Sequence, residues 1–290
     1  MSSPTIEKAD LSMFDDIHPL LSEFREGPPI SRSQWMSLLT HRWDREDNPM
    51  GFVMVADGTI IGFLATIFSQ RLIEGRVETF CNLSSWIVRK EAIAKTPSSG
   101  IHLVLQVVQR RELHLTSLTP VPASLAMGKA VGWKQLEEHV HFIPDASTFP
   151  DREDNRFTIT AKQEEIEPVL GPIDRRIFRD HVGYDCHHVL LHGDDRYCYV
   201  VFTRSGRLGV NHVHYVSDPT LFVEHAASMV RHIAKLNDVD VVAIASRLLD
   251  DLALPFGSMR PVEGKGPMYR SDLSRHHIDN LYSELILLGL

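Results

Sequence analysis

Three groups of residues in this 290-residue sequence have the types and spacing to do chemistry. The first lies in "RKEAIAKTPSSGIHLVLQVVQR", where a strand gives way to a loop of small and hydroxyl residues and then to an amphipathic helix. Such an arrangement often holds a phosphate, because free amides and the dipole at a helix N-terminus favour an anion. Lys95 offers a charge, Thr96, Ser98 and Ser99 offer hydroxyls, and the one glycine, Gly100, stands at the end. The second group is Glu78, Asn82 and Ser84 on the strand Arg76–Val88. A period of two puts all three on one face, where they can line a cleft or equally serve as satisfied core polar groups. The third is His212 and His214, two apart on a strand, which is a fragment of a metal site. No third or fourth ligand can be located, so no metal is expected. Cys81, next to Asn82, reads as a buried structural thiol rather than a nucleophile.

The elements that must position these groups follow from local signals. A short strand is expected at Thr5–Lys8, then helices over Ser12–Phe24, capped by Asp10, and over Ser31–Trp43. "GFVMVA" and "TIIGFLATIF" flank Asp57-Gly58, the pair that supplies positive φ in a two-residue hairpin turn. After the loop, Ile101, Val104, Val107 and Val108 recur at helical spacing. "HLTSLT" is a strand. "PVPASLAMGKAVGW" is a helix with Pro122 in its first turn and Gly132 as its C-cap. "KQLEEHVHFIP" closes the first half as a strand region. The polar, proline-punctuated stretch 144–155 marks a boundary, giving units 1–148 and 149–290.

The second half repeats hairpin, strand, helix and strand, with Asp218 capping its helix, and a tail read as a helix plus a final strand over Leu285–Leu288. The shared order points to an internal duplication. The fold class is therefore α/β (α+β), with two units that are each a mixed sheet flanked by helices.

Composition narrows the function. Net charge is −8 and pI about 6.0, without the clustered Lys and Arg of a nucleic-acid footprint. No apolar run is long enough for a membrane span, and "MSSPTIEKADLSMFDD" lacks the apolar core of a signal peptide. Three cysteines do not make a disulfide framework. A cytoplasmic protein that contacts neither nucleic acid nor membrane is expected.

"TIIGFLATIF" after the Asp-Gly hairpin, "NLSSWIVRKE", and "SLAMGKAVGW" with Trp133 where an aromatic follows glycine together resemble the GNAT (N-acetyltransferase) superfamily over residues 5–143. The resemblance implies two tandem GNAT-like domains with mostly antiparallel sheets, the C-terminal one degenerate. Only Pro219-Thr220 stand where it would need a phosphate loop, so it implies an acceptor pocket or an interface there. The resemblance also implies acyl-CoA as donor, acetyl-CoA in particular, and a small-molecule amine as acceptor. The pantetheine would lie along Trp86, Ile87 and Val88. The pyrophosphate would sit on the loop, with Ile93 in place of the family's Arg or Gln and Thr96 and Ser98 in place of its glycines. Ala94, Lys95, Ser99 and Gly100 would complete that cradle, from which Pro97 removes an amide donor. Glu78 would be the base, with Asn82 and Ser84 in the cleft. The family's tyrosine acid falls at Gly128, which has no hydroxyl; Asn82, Ser84 and Thr119 stand unranked as substitutes. The implied function is an acyl-CoA-dependent N-acyltransferase, and the alternative is a non-catalytic acyl-CoA sensor or scaffold.

Overall fold

The computed structural model describes residues 4–24, 29–95, 100–150, 156–206, 208–262 and 266–290. The chain forms two seven-stranded mixed, mostly antiparallel sheets flanked by helices.

The first sheet starts as an antiparallel meander of β1 (Thr5–Lys8), β2 (Gly51–Ala56), β3 (Thr59–Ile73) and β4 (Arg76–Val88). Asp57 and Gly58 take φ of 48° and 74°, as a turn of this hand requires, and Glu74 and Gly75 do the same at the next hairpin. Next, β5 (His114–Ser117) runs parallel to β4. The sheet is completed by β6 (Lys134–Gln135) and by a strand from far along the chain, Met268–Arg270, which lies antiparallel to β5.

Helices α1 (Phe14–Leu21), α2 (Arg32–Ser37), α3 (Lys90–Lys95), α4 (Ile101–Val108) and α5 (Pro122–Ala130) belong to this unit. Leu103, Val104 and Val107 of α4 pack on Met54, Leu64, Phe68, Cys81, Leu83 and Leu115, the apolar layer on one side of the sheet. The helix expected over Ser12–Phe24 is α1 preceded by a tight turn, in which the Asp10 carboxylate accepts from Ser12 N at 2.8 Å. The helix expected over Ser31–Trp43 is shorter, ending at Ser37; Leu39 and Thr40 continue it as i→i+3 turns.

The second sheet contains β7 (His139–Ile143), β8 (Thr158–Thr160), β9 (His187–Gly193), β10 (Arg196–Ser205), β11 (Val210–Val216), β12 (Val242–Ala245) and β13 (Ser258–Pro261), in the order β13-β7-β12-β11-β10-β9-β8. Here β11 and β12 are the parallel pair. Its helices are α6 (Gln163–Ile166), α7 (Pro172–His181), α8 (Pro219–Glu224) and α9 (Ala226–Asn237). The Asp218 side chain accepts from Leu221 N at 2.8 Å and starts α8. Met268–Arg270 of the first sheet is β14, and the last helix, α10, is Glu284–Leu287.

Two sequence expectations change. Residues 139–148 do not belong with the first half, because β7 pairs with β12 and β13. The compact units are residues up to Lys134 with Pro267–Leu273 and Tyr282–Leu288, and Gln135–Gly266 with Ser274–Leu281 and Gly289–Leu290. The tail is also not a strand of the second unit. Ser283 accepts from Leu285 N, which starts a helix, and Tyr282–Leu288 packs in the first unit. A short all-apolar run does not distinguish strand from helix by periodicity.

Candidate functional site in the first sheet

The site is built where β4 and β5 part. Their parallel ladder holds only at Phe80–His114, Cys81–Leu115 and Asn82–Thr116. Beyond Asn82, β4 continues to Val88 paired only with β3 among the described residues. The β3 pairing itself slips there. Ala65 faces Ser84 and Phe63 faces Ile87, so Ser85 and Trp86 together oppose Leu64. This is a β-bulge, and Ser85 holds it at φ 52°, an uncommon value for a non-glycine residue. Bulges re-aim the strand that follows, here Trp86–Val88. Trp86 and Ile87 are half-buried and Val88 is buried. The Trp86 Nε1 donates to Gly100 O at 3.1 Å, which ties the strand to the start of α4.

A buried polar network closes the fork. Thr116 Oγ1 donates to Asn82 Oδ1 at 3.0 Å. That fixes the Asn82 amide so that its Nδ2 donates to Oε2 of Glu284, the first residue of α10. The other oxygen, Oε1, accepts from Thr119 Oγ1 at 2.7 Å. Glu284 is fully buried and Asn82 nearly so. Burial lifts the Glu284 carboxyl above its ordinary value. Donors from the Thr119 hydroxyl, Asn82 and the amides of Glu284 and Thr119 offset part of that rise. Thr119, just past β5, is exposed.

This arrangement revises the residues picked from the sequence. Asn82 is at the fork. Ser84 is nearby and buried, its Oγ 3.2 Å from Ser85 Oγ. Glu78 sits four residues back along β4 and is half-buried in a chain of its own. Its Oε2 is 3.1 Å from His114 Nε2, and His114 Nδ1 is 2.8 Å from Ser271 Oγ. At about 3.3 Å per residue, Glu78 lies roughly 13 Å from Asn82, so the strand's own carboxylate is not the one at the fork. The carboxylate there is Glu284, which sequence reasoning missed. The available signal was a lone acid after Ser283 in the apolar run "LYSELILLGL", since buried acids need partners.

The expected loop is also different. Residues 90–95 form α3, so Ala94 and Lys95 lie on a helix instead of in a phosphate loop. Amides of Ala92 and Ile93 donate to Arg89 O, and are not free for a ligand. Lys-Glu-Ala-Ile-Ala-Lys are mostly good helix formers, which outweighs the family spacing. Thr96, Ser98 and Ser99 lie outside the described residues. Gly100 is buried at the start of α4.

Gly128 is enclosed in α5. A Cβ there would meet Met268 at 3.1 Å, so the position has no space for a tyrosine without repacking. Cys81 is fully buried and burial pushes its thiol far up. Cys198, equally buried, is pushed up to about 12. Both should resist iodoacetamide in the native protein and react once it is unfolded, as mass spectrometry of labelled peptides would show. Prompt native labelling of Cys81 would contradict this burial. The rings of His212 and His214 lie with centroids 4.6 Å apart, tilted at 53° to one another. His214 Nε2 lies 2.8 Å from Thr203 Oγ1. Burial lowers His212 to about 4 and His214 well below its usual value. Among the described residues no group of three His, Cys, Asp or Glu could hold a metal ion.

No family model matches this sequence, and no curated protein does. The fold does match solved structures. A GCN5-related N-acetyltransferase from Kribbella flavida superposes with a TM-score of 0.60 at 12% identity, over 92% of this chain and 71% of that one. One from Anabaena variabilis gives 0.56 at 15% identity, over 92% and 72%. Saccharomyces cerevisiae N-myristoyltransferase with bound myristoyl-CoA gives 0.51 at 12% identity, over 93% and 84%. The chain thus has the fold shared by these GCN5-related N-acetyltransferases and N-myristoyltransferase.

Proposed function

We propose that the protein is an acyl-CoA-dependent N-acyltransferase with two GNAT-like units in tandem, whose first unit transfers acetyl from acetyl-CoA to a small amine. The observation that carries this reading is the fork. The β4–β5 ladder stops at Asn82–Thr116 while β4 runs on through the Ser85 bulge to Val88. That leaves a strand edge at Trp86–Val88 on which an extended pantetheine can pair with backbone. Pyrophosphate at the Gly100 end of α4 would complete donor binding. The three cysteines are free thiols, which fits a reducing cytoplasm, and no described helix is long and apolar enough to cross a membrane.

A second reading, a non-catalytic acyl-CoA sensor or scaffold, draws on α3, whose amides are used within the helix, and on Gly128. Two measurements separate the readings. A donor at about 100-fold over its Kd should stabilise the protein by about 2.7 kcal/mol, a rise in Tm on the order of 5–10 °C. Free thiol should then appear when small amines are added. A shift without thiol release favours the sensor. No shift with acetyl-CoA or with longer acyl-CoAs sinks the transferase and the acyl-CoA sensor, and leaves a scaffold.

A further inference from the structure

A base for amine acylation must reach the substrate, and Glu284 cannot, since it is fully buried. Thr119 can. It is exposed, and its hydroxyl already donates to Glu284 Oε1 at 2.7 Å. An oxygen whose proton is committed to a carboxylate keeps a lone pair directed outward, which makes it an acceptor for an ammonium or amine N–H. The rest of the network orients the carboxylate. Thr116 fixes the Asn82 amide, Asn82 holds Oε2, and Oε1 is left to Thr119. The pair stands where β4 and β5 separate, beside the last rung of their ladder. Resting on the acyltransferase reading, we propose that Thr119 and Glu284 form the proton relay of the transfer, with Thr119 Oγ1 as the atom that meets the acceptor nitrogen.

The protons and electrons balance. The acceptor ammonium gives one proton to Thr119 Oγ1 as that oxygen passes its own to Glu284 Oε1. The freed nitrogen lone pair forms the N–C bond to the thioester carbonyl. When the intermediate collapses, the C–S bond breaks and sulfur leaves with the electron pair. It takes up the second nitrogen proton, and Glu284 later returns the first to solvent. The raised proton affinity that burial gives Glu284 makes it a stronger base than a surface glutamate. Thr119 is the catalytic residue here, and Glu284 acts through it.

The test is Thr119→Val, which removes the hydroxyl at an exposed position with little change of shape, beside Thr119→Ser, which keeps it. Thiol release from acetyl-CoA is followed with a panel of small primary amines and with water alone as acceptor. In Thr119→Val, kcat should fall about a hundredfold or more. The KM for acetyl-CoA and the acetyl-CoA-induced thermal shift should change less than about twofold, and the acid limb of the pH–rate profile should be lost. Thr119→Ser should restore rate and profile, and Glu284→Gln should reproduce the Val phenotype. An active wild type whose rate and pH profile survive Thr119→Val overturns the relay and leaves the acyltransferase reading standing. A wild type that releases no thiol with any amine or water overturns both.

Discussion

A chain ending at Leu281 should lose the folded first unit. Removing Tyr282–Leu290 takes away Tyr282, Leu285, Ile286, Leu287 and Leu288, each no more than 7% exposed. At about 1.5–3 kcal/mol for each large apolar side chain, the loss rivals the ~5–15 kcal/mol that stabilises a whole domain. Polar partners are lost with them. Gln34 Nε2 donates to Leu288 O at 2.7 Å and Ser37 Oγ to Leu287 O at 3.0 Å. Trp43 packs edge-on against Tyr282 at 5.2 Å, and the Arg71 guanidinium lies over the same ring at 5.1 Å. Asn82 and Thr119 would keep donors with no carboxylate to receive them, at ~1–3 kcal/mol for each one left buried. Limited proteolysis should cut the first unit of the truncated chain, and amide exchange across β3 and β4 should approach unprotected rates. A melt within a few degrees of the full chain would show that the segment is dispensable. A fragment 1–148 should fare worse, because it also lacks β14.

In the second unit the largest single-residue effect is expected at Arg247. It is 1% exposed, and each of its three guanidinium nitrogens has a partner. Nε and Nη2 reach Glu137 Oε1 at 3.0 and 2.8 Å, Nη2 reaches Asn280 Oδ1 at 2.6 Å, and Nη1 donates to the Ile278 carbonyl. Arg247→Met removes the charge and leaves Glu137 buried beside an apolar chain, at a cost of about 3–5 kcal/mol. Adding Glu137→Leu should recover most of it, because replacing both members of a buried pair with well-packed apolar groups is often close to neutral. Denaturant unfolding of the two single variants and the double variant would measure the coupling. If Arg247→Met alone costs under 1 kcal/mol, water or relaxation already compensates Glu137.

Local signals in the sequence carried the elements of the fold. The Asp57-Gly58 turn, the Asp218 cap and the glycine at 132, with φ 82°, are each fixed by residues within a few positions. Pairings across long sequence separations were not legible. Met268–Arg270 has nothing in its three residues that selects β5 as partner, and β7 looks like the natural end of the first half until its ladder with β12 is known. The candidate site failed in the same way. Glu78 was the only carboxylate inside β4, and strand parity placed it with Asn82, but His114 occupies it. The carboxylate at the fork comes from α10, a relation that no periodicity encodes. The bulge at Ser85 was hidden too, since Ser-Ser in a strand gives no sign of a left-handed residue.

The distance along the chain between Asn82 and Glu284 also bears on how the protein is made. The two hydrogen-bonded residues are 202 positions apart. Translation at ~5–20 residues per second puts roughly 10–40 s between their syntheses. For that interval β4 exists without the acid that closes its fork, and Thr119 has no carboxylate to hold. A nascent or prematurely terminated chain therefore carries an unfinished centre, and the proposed chemistry switches on only in molecules whose synthesis has gone to the end of α10.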